Sequence, residues 1–217
     1  ISETKVHIIP HGLSSIFTDQ TFVSSEHLKM VILKYNLPDK FVLFVGTLEP
    51  RKNLLVAIAS FVAARKNVSE LADYEFIIAG TYGWKSRSLF NMISKNQRTR
   101  WIGYVDSEDR PALYHLAGVF LFPSLYEGFG LPVLEAMSAG VPVIASNRSS
   151  ITEITNGAAY LIDPNNVASV SLGLERVLGS MELRQTLKQK GLAQAKKFSW
   201  ELSAARFLHI INRPITS

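Results

Sequence analysis

The sequence predicts an α/β fold: a Rossmann-like, doubly wound parallel sheet flanked by helices, followed by a helical C-terminal tail. The first observation is a set of short, continuous apolar runs, such as Phe41–Val45, which are typical of strands buried on both faces. The second is that these runs alternate with segments of helical period, and that most of them end at a glycine or a polar turn. The chain has 217 residues, of which 47% are hydrophobic. That is enough for one core, and we predict a single domain over residues 1–217.

The predicted elements follow one another as strand and helix along most of the chain. We predict strands at residues 6–12, 41–45, 75–79, 99–102, 119–122, 141–145 and 158–162. We predict helices at residues 26–35, 53–66, 88–95, 108–116, 132–139, 166–179, 181–197 and 199–212, with a turn or short helix from residue 150. Ser24 or Ser25 caps the first helix. The helix at 53–66 should turn five apolar side chains towards the sheet: Leu54, Leu55, Ile58, Phe61 and Val62.

The stretch from Tyr126 to Glu135 joins a predicted strand to a predicted helix. Gly128 and Gly130 allow positive φ and a close approach of the backbone to a ligand. The start of the helix offers free backbone amides, which form an anion site at the carboxyl end of a strand, where open α/β sheets bind ligands. The amides in question belong to Leu131, Val133 and Leu134.

Two carboxylates flank these glycines, with Glu127 before the helix and Glu135 one turn into it. A carboxylate at the latter position can accept hydrogen bonds from a diol, such as a ribose, whose phosphate lies over the helix end. Glu127 would face the far side of the phosphate. Taken singly, each residue is explained as well by the helix dipole or by solvation. Their spacing, with Gly-Phe-Gly-Leu-Pro between them, favours a shared ligand.

A second loop, from Gly46 to Asn53, follows the first strong strand and places Arg51 and Lys52 just before a helix. Two cations beside free helix amides suit a diphosphate, because arginine can grip two oxygens and lysine acts as a point charge. The alternative is an exposed basic turn. The position of the loop at the end of a strand favours the phosphate.

Composition excludes several other kinds of site. The chain has no cysteine, and its five histidines are scattered without metal-ligand spacing, so we predict no metal. The first five residues do not resemble a targeting signal, and no apolar run approaches the roughly 20 residues that span a bilayer. The net charge is +5, but the basic residues form no dense cluster with interleaved aromatics. We therefore expect no nucleic-acid partner.

At these motifs the sequence resembles the C-terminal half of the GT-B retaining glycosyltransferases, family 4 in particular, over most of the chain. The family's Glu-x7-Glu motif matches Glu127 and Glu135. The resemblance implies that Glu127, with Gly128 and Phe129, contacts the donor sugar and acts in catalysis, and that Glu135 binds the ribose. It implies donor phosphate binding by five residues: Gly46, Arg51, Lys52, Gly130 and Leu131. Many family members have arginine where this chain has Thr47, which leaves Arg51 as the second cation.

Two further loops follow later strands. The stretch from Gly80 to Lys85 follows the strand at 75–79, and a loop that begins at Gly103 follows the next one. The resemblance places the base beside the second loop, against Tyr104 and Val105. From the residues alone, Ser107 is an N-cap of the helix at 108–116. Trp200 resembles part of the family's terminal helix, and is otherwise a core or interface aromatic.

The resemblance implies the donor-binding half of a hexosyltransferase that uses a nucleoside-diphosphate sugar, without a metal or other cofactor. The Glu-Pro-Arg-Lys-Asn loop is similar to that of enzymes that use GDP-mannose. The acceptor, a glycan or lipid-linked saccharide, would bind an N-terminal domain that this chain lacks, so transfer by the chain alone is not expected. The expected location is cytoplasmic, with peripheral membrane contact left open for the full-length enzyme. Two alternatives are a non-catalytic nucleotide-sugar-binding or regulatory module, and a dehydrogenase, against which the absence of an early GxGxxG counts.

Overall fold

The computed structural model describes residues 6–84 and 87–212 and contains one six-stranded parallel sheet. Its strands are β1 (Phe41–Val45), β2 (Glu75–Ala79), β3 (Thr99–Gly103), β4 (Val119–Phe122), β5 (Val143–Ser146) and β6 (Tyr160–Ile162). They lie in the order β3-β2-β1-β4-β5-β6, so the chain runs outward in one direction from β1 and in the other from β4. This is the doubly wound topology predicted from the sequence. The first five residues, Lys85, Ser86 and the last five residues lie outside the described part of the chain.

Nine α-helices flank the sheet within the described residues. They are α1 (Ser25–Tyr35), α2 (Leu54–Asn67), α3 (Arg87–Lys95), α4 (Arg110–Leu116), α5 (Leu131–Ser138), α6 (Ser150–Thr155), α7 (Val167–Gly179), α8 (Met181–Ala195) and α9 (Trp200–Ile211). Helix α2 packs against α3 and α7, whereas α5 packs against α4, α6 and α8. Within the described residues, none of these helices combines the length and apolar character needed to cross a bilayer.

The central strands are apolar on both faces because helices cover both. Every residue of β1 and β4 is buried, including the large side chains of Phe41, Phe44, Phe120 and Phe122. Phe44 stacks on Phe122 across the pair, with ring centroids 5.9 Å apart. This burial explains why continuous apolar runs, and not alternating ones, mark these strands in the sequence.

The prediction of a strand at residues 6–12 was wrong. Residues 6–14 have no regular secondary structure and lie against the C-terminal helix. The Leu13 amide donates to the Phe198 carbonyl, and the Ser203 hydroxyl donates to the Pro10 carbonyl. A Cβ at Gly12 would clash with the backbone nitrogen of Trp200, so only glycine permits this close approach of the two segments. The segment is thus fixed by α9 instead of by a neighbouring strand.

Three smaller predictions also need correction. Helix α4 begins at Arg110 after a turn, so Ser107 is not its N-cap. Leu55 is 41% exposed, because α2 turns Leu54, Ala57, Ile58 and Phe61 inward and leaves Leu55 on its outer face. Strands β5 and β6 start two residues later than predicted, at Val143 and Tyr160. The predicted Ser24 cap is confirmed, since its hydroxyl accepts from the His27 amide.

Candidate functional site

The loops that follow β1 and β4 meet at the point where the strand order reverses. These two strands are neighbours in the sheet, although β2 and β3 separate them in sequence. Helices start from them in opposite directions, which opens a crevice at the carboxyl edge of the sheet. The predicted phosphate loop, which holds Arg51 and Lys52, and the predicted Glu127 loop are therefore brought together.

The contacts between these two loops converge on Glu127. Its Oε1 lies 2.7 Å from the Lys52 Nζ, and its Oε2 lies 2.8 Å from the Arg51 Nη1. The Ser124 hydroxyl donates to the same Oε1 at 2.5 Å. Lys52 is buried and lies 4.9 Å from the centroid of the Phe122 ring, while the Arg51 side chain is 45% exposed. A buried carboxylate is thus matched by two cations and a hydroxyl.

Backbone contacts fasten the two loops to each other. The Leu125 amide donates to the Arg51 carbonyl at 2.8 Å, and the Ser124 hydroxyl oxygen lies 3.1 Å from the same carbonyl, which is the alternative acceptor for the proton that it gives to Glu127. Asn53, in the left-handed conformation at φ 58°, donates from its side chain to the Pro123 and Pro164 carbonyls. Arg51, Lys52 and Glu127 therefore sit on a cross-linked support, which suits a site that must hold charges in fixed positions.

Two serines at the start of α6, its N-cap Ser149 and its first residue Ser150, complete the support of the Glu127 loop. The Glu127 amide donates to the Ser149 hydroxyl at 3.0 Å. The Ser150 hydroxyl lies 2.9 Å from both the Glu127 and the Phe129 carbonyls, and so can donate to either. These serines and Ser124 were not singled out from the sequence: serine at the start of a helix normally indicates only a cap, and a single serine in the loop after β4 gives no signal of its own.

The start of α5 partly matches the predicted anion site. Gly130 has φ 104°, and a Cβ there would lie 2.7 Å from the Ile151 and Ile154 Cδ1 atoms, so glycine is required on both counts. Gly128, which could also adopt positive φ, does not do so. The Val133 and Leu134 amides donate to the Gly130 carbonyl, so the prediction that they are free was wrong. Because Pro132 has no N–H, Leu131 supplies the first-turn amide that can face a ligand.

Glu135 is the fifth residue of α5, one turn into the helix. It is 8% exposed. Its Oε2 accepts a hydrogen bond from the fully buried Tyr114 hydroxyl at 2.9 Å, and its Oε1 lies 3.5 Å from the Arg110 Nη1. Burial raises the pKa of the Glu135 carboxyl, while the charge of Arg110 and the Tyr114 hydrogen bond act in the opposite direction. The role of Glu135 towards a ribose stays a prediction.

The predicted base-binding residues lie on the loop after β3, two strands from β1. Tyr104 is 62% exposed, whereas Val105 is buried in the core. Helix α1 holds the end of this loop: the Lys34 Nζ lies 2.7 Å from carboxylate oxygens of both Asp106 and Asp109, and the Tyr35 hydroxyl donates to Asp109. Burial raises the pKa of Asp109, but the bonds from Lys34 and Tyr35 outweigh it and lower the pKa overall. The loop therefore has a fixed end beside an exposed aromatic.

The remaining predicted residues lie beside Lys52 or on the Glu127 loop. A Cβ at Gly46 would be 3.6 Å from the Lys52 Cε, so Gly46 borders the lysine stem. Phe129 is half-buried, and its ring meets those of His11 and Phe198 edge to face at 5.2 and 5.9 Å. His11 is thus brought beside the predicted sugar loop, a placement that its position in the sequence did not indicate.

The sheet order and the crevice define an α/β domain of the Rossmann type. Its relatives give the family. The sequence pattern described as "Glycosyl transferases group 1" matches residues 28–194. The chain is 41% identical over 175 residues to the O-antigen chain mannosyltransferase B of Escherichia coli, covering 79% of this chain and 45% of that protein. It is 33% identical over 194 residues to the serotype-specific mannosyltransferase WbdA of E. coli, covering 83% of this chain and 23% of that protein.

A crystal structure of a glycosyltransferase from Rickettsia africae ESF-5 superposes with a TM-score of 0.82 at 20% identity, over 97% of this chain and 57% of that one. The chain therefore belongs to the glycosyl transferases group 1 family, and its fold is that of one half of a GT-B glycosyltransferase. It spans less than half the length of the two E. coli relatives.

Proposed function

We propose that this chain is the donor-binding half of a retaining glycosyltransferase that transfers a hexosyl group from a nucleoside-diphosphate sugar to a glycan or lipid-linked saccharide. The observation that carries the proposal is the meeting of Arg51, Lys52 and Glu127 at the switch point of the sheet. Cations on one loop and a carboxylate on the other match the two parts of the donor. A diphosphate needs positive charge, and a sugar needs a hydrogen-bond acceptor.

The chemistry follows from charge. When the bond between the sugar and the diphosphate breaks, negative charge grows on the leaving diphosphate. Arg51, Lys52 and the Leu131 amide are fixed donors that would stabilise this charge, and such preorganised stabilisation is commonly the largest contribution to catalysis. These groups supply the charge compensation without a metal ion. Glu127 would orient the sugar, assisted by Gly128 and the Phe129 loop.

Mannose from GDP-mannose is the donor sugar that we propose. Its support is the identity of 41% and 33% to two proteins named as mannosyltransferases, together with the resemblance of the Glu-Pro-Arg-Lys-Asn loop. Retention of configuration is supported by the family resemblance. We further propose that the acceptor binds a part of the full-length protein beyond this chain, that the enzyme works in the cytoplasm, and that it contacts the membrane peripherally.

The proposal is tested first by thermal shift of the purified chain with GDP, UDP, ADP and NAD, with EDTA present. A ligand that binds the folded state at 100 times its Kd stabilises it by about 2.7 kcal/mol. We expect GDP to raise Tm most and NAD to leave it unchanged. An equal change in Tm with all four ligands would contradict the proposal that this crevice binds a nucleoside diphosphate.

The second test separates an enzyme from a binding module. The chain and the full-length protein are assayed side by side with labelled GDP-mannose and candidate saccharide acceptors. We expect binding by both, and transfer by the full-length protein only. Transfer by the chain alone at the full-length rate would contradict the proposal that the acceptor binds outside this chain. Donor binding without transfer by the full-length protein would indicate a regulatory module.

A further inference from the structure

Arg110 lies between the Glu135 carboxylate and the Phe17 ring. Its Nη1 is 3.5 Å from the Glu135 Oε1, and its guanidinium carbon is 5.6 Å from the centroid of the Phe17 ring. Its Nε is buried and has no hydrogen-bond partner among the described residues. The Arg110 side chain is 30% exposed, so the cost falls on the buried Nε, whose N–H is left unsatisfied.

The two oxygens of Glu135 are used differently. Oε2 accepts a hydrogen bond from the Tyr114 hydroxyl at 2.9 Å, which fixes the orientation of the carboxyl group. Oε1 faces Arg110 at a distance longer than the usual 2.7–3.2 Å of a hydrogen bond. Arg110 therefore supplies charge compensation to Oε1 without occupying it as a strong donor would. That oxygen keeps lone pairs for a ligand.

Arg110 and Tyr114 lie one turn apart on α4, and they are the charged and titratable groups that act on the Glu135 carboxyl. Among the described residues, Arg110 is the one cation that acts on this carboxyl, and Lys188 of α8 lies at the other end of α5, beside Gly140. Helix α6 places Ile151 and Ile154 against Gly130, and α8 places Gly191 against Met137. Removal of the Arg110 charge would therefore leave the carboxylate without a cation.

We propose that Arg110 is a positioning residue for the nucleoside half of the site: it compensates the charge of the buried Glu135, which then accepts a hydrogen bond from a vicinal diol. This inference rests on the proposed function and extends it to a residue that touches neither phosphate nor sugar. Burial raises the pKa of Glu135 above its ordinary value of 4.5, and the charge of Arg110 and the Tyr114 hydrogen bond make that rise smaller. Without Arg110, the carboxyl takes up its proton at a higher pH.

The experiment compares two ligands at each pH. A ribonucleoside diphosphate and its 2′,3′-dideoxy analogue carry the same phosphates, so the ratio of their Kd values cancels phosphate titration and isolates the diol. For the wild-type chain we expect the ribo ligand to bind about tenfold tighter at pH 8, because a hydrogen bond to a charged group is lost in the analogue. The ratio should fall towards one as Glu135 becomes protonated.

In Arg110→Gln the fall should occur at a higher pH, and Arg110→Lys should return it towards the wild-type position because the charge is restored. Arg98→Gln is the matched control. It removes an exposed arginine just before β3, 3.9 Å from Glu75, and should not change the pH at which the ratio falls. A loss of affinity by the same factor at every pH for both ligands would overturn the inference while leaving the nucleotide site intact. A wild-type chain that binds neither ligand would overturn the proposed function itself.

Discussion

Replacement of Lys52 by methionine tests the proposed phosphate site most directly. The change removes the charge but keeps an unbranched, apolar stem over the Phe122 ring, which the Lys52 Nζ approaches to 4.9 Å. Glu127 keeps Arg51 at 2.8 Å and the Ser124 hydroxyl at 2.5 Å, so it is not left alone. Complete loss of a partner from a buried ion pair costs about 3–5 kcal/mol. Because two partners remain, we expect a loss of stability of about 1–3 kcal/mol.

The effect on binding should be larger for phosphates than for the nucleoside. A hydrogen bond to a charged group contributes about 1.5–3 kcal/mol, which corresponds to roughly a tenfold to 150-fold change in Kd. We expect Lys52→Met to weaken GDP binding within that range. Guanosine, which has no phosphate, should bind nearly as it does to the wild type.

Isothermal titration calorimetry with GDP and guanosine gives both numbers, and thermal unfolding of the free variants shows that each is folded. Lys40→Met is the matched control, because Lys40 is an exposed lysine whose nearest carboxylate, that of Asp73, is 3.8 Å away. Equal losses for GDP and guanosine would refute the reasoning, since they would show that Lys52 supports the fold of the site and not the phosphate.

Two other substitutions test the loop and the sugar contact. Gly130→Ala should destabilise the chain by about 1–3 kcal/mol, because alanine is strained at φ 104° and its Cβ would meet Ile151 and Ile154. Gly179→Ala, where a Cβ meets nothing within 4 Å, is its control in the same urea titration, and equal losses would contradict the argument. In the full-length protein, Glu127→Gln should lower kcat at least a hundredfold while Kd for GDP changes less than about threefold, since the proposed role is towards the sugar. Steady-state kinetics with calorimetry checks this, and an unchanged kcat would make Glu127 a structural carboxylate.

The sheet was predictable because strands that are buried on both faces are short, continuous apolar runs in the sequence. The apolar runs at β1 and β4 give the strand positions directly, and the helices between them require a parallel sheet. The strand predicted at residues 6–12 was wrong for a physical reason. An apolar segment near α9 satisfies its backbone through Phe198 and Ser203, and a sequence pattern does not distinguish contact with a helix from contact with a strand.

The members of the site were predictable, but their pairing was not. Loops after parallel strands share one edge of the sheet, so Arg51, Lys52 and Glu127 could be placed at the same edge. That they touch depends on β1 lying beside β4, which is a property of strand order. Arg110 and Tyr114 gave no signal, because a polar residue on a short helix normally faces solvent, and only the packing of α4 on α5 brings them to Glu135.

The different exposure of the two cations leads to a kinetic prediction. The Arg51 side chain is 45% exposed and the Lys52 side chain 7%, although both pair with Glu127. A diphosphate that enters the crevice meets Arg51 first, and it reaches Lys52 only by competing with Glu127 for the lysine. Charges at the rim of a site act mainly on the association rate, whereas buried charge pairs act mainly on dissociation. By stopped-flow fluorescence with a labelled GDP, we expect Arg51→Ala to lower the association rate constant and reduce its salt dependence, and Lys52→Met to raise the dissociation rate constant. If both substitutions changed only dissociation, the ordered approach would be wrong. If they act as expected, arrival of the phosphate frees the Glu127 carboxylate from Lys52 and makes it available to the sugar.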